Sequence, residues 1–118
     1  MLRGEEVHGE SITDGDASGG IAVVLYKAGS VVVRTLGAKE ILYVTDIQIT
    51  CETGGDVWLV ADGKVAGEYV WYGSLNAKDT VSISLQQPFA CAPGTGLTLF
   101  GAATNLNICL IEGFIAGA

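Results

Sequence analysis

From Ile21 onward the apolar residues of this chain recur at every second position, and nowhere do they hold a 3.6-residue period across three turns. A two-residue period belongs to strands, whose side chains alternate between faces, so helices are expected to be short or absent. The run EILYVTDIQITCE predicts a strand with Ile41, Tyr43, Thr45, Ile47, Ile49 and Cys51 on one face and Asp46, Gln48 and Thr50 on the other. TVSISLQ sets Val81, Ile83 and Leu85 against Ser82, Ser84 and Gln86. IAVVLYK and SVVVRTL are β-branched runs parted by Ala28-Gly29, and GLTLFGA and LNICLIEGFIAG complete the set. In DVWLVADGKVAGEYVWYG, Asp62-Gly63 predicts a tight turn between two aromatic strands. About eight evenly spaced strands read as a sandwich or barrel. At 118 residues the chain is one domain.

Charge is distributed unevenly along these strands. Val81 to Ile111, 31 residues, carry no Lys, Arg, Asp, Glu or His. Gln86-Gln87, Pro88, Pro93, Gly94, Gly96, Asn105 and Asn107 break any membrane-spanning helix there. A subunit core explains one face of the segment but not why the other is Ser, Gln, Thr and Asn. Neutral polar side chains can be desolvated when hydrogen-bonded, without the cost of burying ions. Across the chain 49% of residues are apolar, only 16% are charged, and mean hydropathy is +0.44. Two readings fit: a small Gly- and Val-rich β domain, or an obligate oligomer with less surface facing water. The oligomer reading places one face of the charge-free strands in the subunit and the other against neighbours. Leu85, Gln87, Phe89, Leu97, Leu99 and Phe100 are its intersubunit packing residues.

The first twenty residues differ from the rest. They hold five of the 13 acids and the single base Arg3, for a net charge of −4 out of −7. Such a segment buries too little apolar surface to order itself. The expectation is therefore an extended acidic arm over residues 1–20, lying on a neighbour or docked on its own domain, ahead of a sandwich over 21–118. Its contact residues are Met1, Leu2, Arg3, Glu5, Glu6, Val7, His8 and Ile12.

Catalytic chemistry is hard to assemble from these residues. The single histidine, His8, sits in the acidic segment, and Cys51, Cys91 and Cys109 lack metal or redox spacing. DGDASGG opens like a calcium loop, but the twelfth position is Leu25, where a bidentate Glu is needed. PGTGLTLFG leads into a strand and lacks the Lys-Ser/Thr of a phosphate loop. Turn acids such as Asp56, Asp62, Glu68 and Asp79 usually serve hydrogen bonds and solubility. The expectation is no enzyme, no cofactor and no metal. An acidic chain without a basic patch is also not expected to bind nucleic acid, and no signal peptide or membrane segment is read. Trp58, Tyr69 and Trp71 could stack on sugar rings, with Tyr69 and Trp71 on one face and Tyr72 on the other. The competing reading is that they fill a core or an interface.

The order TDIQIT, D-G hairpin, VSISLQQPFACAPGTGLTL and a closing strand ending in GF resembles small jelly-roll structural proteins of tailed bacteriophages. These are capsid decoration (cement) proteins and head-fibre or tail-associated modules, and the resemblance covers Val44 to Gly117. It implies an antiparallel jelly-roll β-sandwich, a homotrimer on the virion surface made in the host cytoplasm, and a major capsid or other virion protein as partner. The charge-free strands would line the trimer axis, and the N-terminal arm would cross the shell or an adjacent copy. No functional residue carries over singly, because such proteins share no active-site motif. The alternative functions are a lectin-like carbohydrate-binding sandwich module, or another phage head-fibre or tail component.

Overall fold

The computed structural model describes residues 4–13, 20–61, 69–101 and 106–117. Among them are nine strands: β1 (Glu5–Thr13), β2 (Ile21–Ala22), β3 (Val24–Lys27), β4 (Glu40–Cys51), β5 (Gly55–Ala61), β6 (Tyr69–Leu75), β7 (Asp79–Ala90), β8 (Leu97–Gly101) and β9 (Asn107–Gly117). They form two sheets, ordered β3-β1-β9-β4-β7 and β2-β8-β5-β6, with every pairing antiparallel. With β2 and β3 taken as one bent strand, the chain crosses between sheets in the order of a jelly roll, closed by two Greek keys. The all-β sandwich expected from the two-residue period is the fold observed.

The core lies between the sheets. Leu42, Val44, Ile47, Ile49, Val57, Leu59, Leu97, Leu99 and Ile111 are its fully covered large residues. A bulge between Val44 and Asp46 in β4 changes which residues contribute. Strict alternation would put Ile41 and Tyr43 on the same face as Ile47. The extra residue, Thr45, instead turns Leu42 and Val44 inward together with Ile47, Ile49 and Cys51, and leaves Tyr43 outside.

Residues 5–13 are not an arm. β1 lies inside the first sheet, paired along its length with β9 and over Val7–Glu10 with β3. Its core-facing positions are Val7, Gly9 and Ser11, and its outward ones are Glu6, His8, Glu10 and Ile12. A β-carbon on Gly9 would meet Val23, Ile111 and Leu25 at 2.8 to 3.0 Å, so the core leaves room there only for glycine. Ser11 is buried and donates its hydroxyl to the Ile21 carbonyl. Beside Val7, the inward position of Gly9 is already filled by Leu25 and Ile111 from the flanking strands, and with the polar Ser11 this hides the strand from a hydrophobicity reading.

SVVVRTL is likewise not a strand. It runs beside β3 through one bridge, Tyr26–Val33, and two backbone hydrogen bonds, Lys27 N–H to Val32 and Arg34 N–H to Leu25. Val31, Val32 and Val33 are exposed, while Leu36 packs against the core. Arg34 secures it by donating to Glu5 at 3.1 Å and to Glu40 at 2.7 Å.

Candidate functional site

The outer faces of the two sheets have opposite chemistry. On the second sheet β5 directs Trp58 and Val60 outward, β8 directs Thr98 and Phe100, and β6 directs Tyr72. Cross-strand register sets Phe100 and Tyr72 on either side of Trp58. Phe100 and Trp58 are stacked at 5.8 Å with planes 3° apart, and Trp58 and Tyr72 are stacked at 5.9 Å. A second bulge, where Val60 pairs with Tyr69 rather than Val70, brings Tyr69 onto the same face, 5.4 Å from Tyr72.

The expected grouping of Tyr69 with Trp71 is therefore corrected. Trp71 pairs with the core residue Leu59 and packs against the core, while Tyr69 joins Tyr72. Four aromatic rings thus cross three strands in a row, with Tyr69 and Tyr72 about half exposed. Stacked rings occupy one another's faces, so the row offers mainly edges, except at its Tyr69 end. The acid at its margin is Asp56, which accepts a hydrogen bond from Ser74. Its charge, with partial desolvation, raises the Tyr72 phenol above the ordinary range.

The first sheet's outer face is acidic. Glu6, Glu10, Asp46 and Glu112 lie on it with His8, Gln48, Ser82 and Ser84, in cross-strand rows such as His8–Glu112–Asp46–Ser84. A groove of about 930 Å³ opens across it. Tyr43 and Phe114, stacked at 5.0 Å with planes 12° apart, form its floor with Glu6, His8 and Glu112. Ala28 and Gly29 wall one end, and Gln87 and Pro88 the other. His8 is held by stacking on Tyr26 and by donating Nε2–H to the Ser30 carbonyl at 2.9 Å. Asp46 accepts from Thr45 and Ser84. A smaller hollow of about 400 Å³ continues past His8 and Glu112 toward Gln48, Ser82 and Leu110.

The other expected residues are distributed as follows. Leu97 and Leu99 are covered completely by their own subunit and retain no surface for a neighbour, which corrects their assignment to intersubunit packing. Leu85 and Phe89 pack against the same core and are only partly buried. Gln87 is exposed at the groove, and Phe100 stands in the aromatic row. Of the supposed arm, Val7 is core, Glu5 holds Arg34, Glu6 and His8 line the groove, and Ile12 is exposed. Met1, Leu2, Arg3, most of the DGDASGG loop, the Asp62-Gly63 turn and Glu68 lie outside the described residues. Leu25, at the calcium loop's twelfth position, is buried in β3.

All three cysteines are buried free thiols, and burial pushes Cys109 up to about 12. Among the described residues no three His, Cys, Asp or Glu are grouped to hold a metal ion, and no helix is long and apolar enough to cross a membrane. The groove itself escaped sequence reading, because Tyr43 and Phe114 meet only through the β4 bulge and the β4–β9 register.

No protein-family model and no curated protein matches the chain. Among solved structures, it is similar to the N-terminal cellulose-binding domain of β-1,4-glucanase C from Cellulomonas fimi. Identity is 14% and the TM-score is 0.34, over 97% of this chain and 89% of that one.

Proposed function

We propose that this chain is a non-enzymatic structural protein of a virion, a capsid decoration or cement protein that acts as a homotrimer on the outer shell. The supporting observation is the outer face of the second sheet, where Phe100, Trp58, Tyr72, Tyr69 and Val60 crowd together, with Asp56 the charged side chain at the margin among the described residues. An antiparallel sheet that faces water on one side carries polar residues there. Interface cores instead enrich aromatic residues and exclude charge. A second copy is the natural cover for such a face, and the acidic first sheet then remains outside. The virion setting comes from the strand-and-turn resemblance of Val44 to Gly117.

The mechanism is mechanical rather than chemical. Each copy bridges shell subunits, and binding that exists only in the assembled shell stabilises the shell by mass action. Linking three copies raises avidity well above that of one. Because residues 5–13 form a sheet strand, the shell contact falls to exposed surfaces of the folded domain.

Native mass spectrometry at micromolar concentration should give the trimer mass, and the protein should co-sediment with undecorated shells. Trp58→Lys, which puts a charge in the aromatic row, should shift the mass to the monomer and weaken co-sedimentation. A sharp monomer peak for the wild-type chain would overturn the reading. A second reading, a carbohydrate-binding sandwich, is favoured by the half-exposed Tyr69 and Tyr72 beside Asp56 and Ser74. It requires oligosaccharides to quench Trp58 fluorescence in a monomeric protein.

A further inference from the structure

We infer that two copies of this chain join edge to edge through β7, antiparallel about a two-fold axis at Ser82, so that one sheet runs through both. This goes beyond the virion reading and does not rest on it: β7 belongs to the first sheet, the aromatic row to the second. The two sheets have four edges. An edge strand presents backbone N–H and C=O groups to any passing strand, and folds guard it by shortness, bulges, proline, charge or a covering segment. β2 is two residues long, and β6 bends at the Val70 bulge. β3 is covered by the segment that takes hydrogen bonds from Lys27 N–H to Val32 and from Arg34 N–H to Leu25. β7 is 12 residues long and, among the described residues, pairs only with β4. Its guards sit at its ends. Asp79 stands at one end, and at the other are Pro88 and the bulged residues 85–88, which lie opposite Thr45 alone. Between them, residues 80–84 keep a regular ladder with residues 46–50 and carry no guard.

The stretch is complementary to itself. An axis at Ser82 sets Thr80 opposite Ser84, Val81 opposite Ile83, and Ser82 opposite its own copy, and the two members of each pair point to the same face. The outer row is then entirely hydroxyl, from the exposed Thr80, Ser82 and Ser84. Thr80 bonds Thr50 and Ser84 donates to Asp46, and each hydroxyl oxygen keeps capacity to accept across the new pair. The inner row is apolar. Val81 packs against the core, Ile83 is half-buried, and the pairing covers the open side of both. No like charges meet, because residues 80–84 are uncharged and Asp79 falls outside the paired stretch. A second copy supplies this match by symmetry, which makes it the occupant rather than an unrelated strand. The contact also accounts for serine and threonine on an edge that a solvated strand would mark with lysine. One strand against one strand buries less than the roughly 1,200 Å² of stable complexes, so the pairing is weak at micromolar concentration and grows where copies are crowded.

The test is sedimentation equilibrium of the full chain. Between about 5 µM and about 1 mM the weight-average mass should rise reversibly toward twice its low-concentration value, as a contact this small requires. Ser82→Lys sets two lysines directly opposite each other and should hold the mass at the low-concentration value throughout, as should Ser82→Glu. An equal mixture of the two variants sets lysine against glutamate and should restore the doubling. Only folded chains can do so, which keeps a misfolded variant from counting as support. Gln48→Lys adds the same charge one strand inward, opposite Ser82 on β4, and should leave the doubling intact. A wild-type mass that never rises, doubling that persists in Ser82→Lys, equal loss in Gln48→Lys, or a mixture that stays dissociated would each overturn the inference. The low-concentration mass separates this contact from the trimer. A monomer that doubles removes the trimer and keeps the β7 edge, and a trimer that never doubles removes only the edge.

Discussion

At Gly113 a β-carbon would lie 2.1 Å from the carbonyl oxygen of Tyr43 and 3.2 Å from the α-carbon of Val44, where β9 passes the β4 bulge. Those atoms are backbone and cannot swing aside. Gly113→Ala should therefore cost about 3 kcal/mol or prevent folding, read as a lower urea midpoint. The thiols make a complementary test. With Cys51, Cys91 and Cys109 buried and Cys109 held protonated near 12, a thiol reagent at pH 8 should label none of them until denaturant is added. Their spacing carried no metal or redox signature and did not give their surroundings, since burial of each depends on which way its strand faces.

Among the elements, β1 separates pattern from structure most clearly. It lies between β3 and β9, so removing residues 1–13 strips a central strand and exposes the core residues Leu25 and Ile111. The truncated chain should lose its β-sheet circular dichroism rather than remain a folded domain. A cooperative melt from that truncation would show that the strand is dispensable. The segment beside β3 depends instead on ions. Arg34 holds the Glu40 carboxyl near 2, below the ordinary value of 4.5. A carboxylate depressed in the folded state adds stability that is present above pH 4.5 and fades as pH falls toward 2. Both partners are partly exposed, so solvent screens the effect. Replacing Arg34 with Met should flatten the fall in melting temperature across that acid window. β4, β5 and β7–β9 were legible in the sequence because their inward residues are large and apolar. β1 was not, because Gly9 and Ser11 fill its inward positions, and the bulges at Thr45 and Val70 reversed faces that simple alternation would keep.

At the scale of the whole molecule, the sandwich divides into an acidic grooved face and an aromatic face. Charge placed on the aromatic face should change the oligomeric mass. The charge-free run of Val81 to Ile111 is spread over both roles and the core. Leu97 and Leu99 face inward, Phe100 stands in the outer row, and Leu110 is exposed on the acidic face. The sequence by itself determined the strand class and much of the core, because a two-residue apolar period can satisfy backbone and burial together only as a sheet. The tertiary structure decided the assignments to faces and the aromatic surface proposed for packing between copies. One inserted residue in a strand reverses every side chain beyond it, and its effect is set by the neighbouring strand it must pair with.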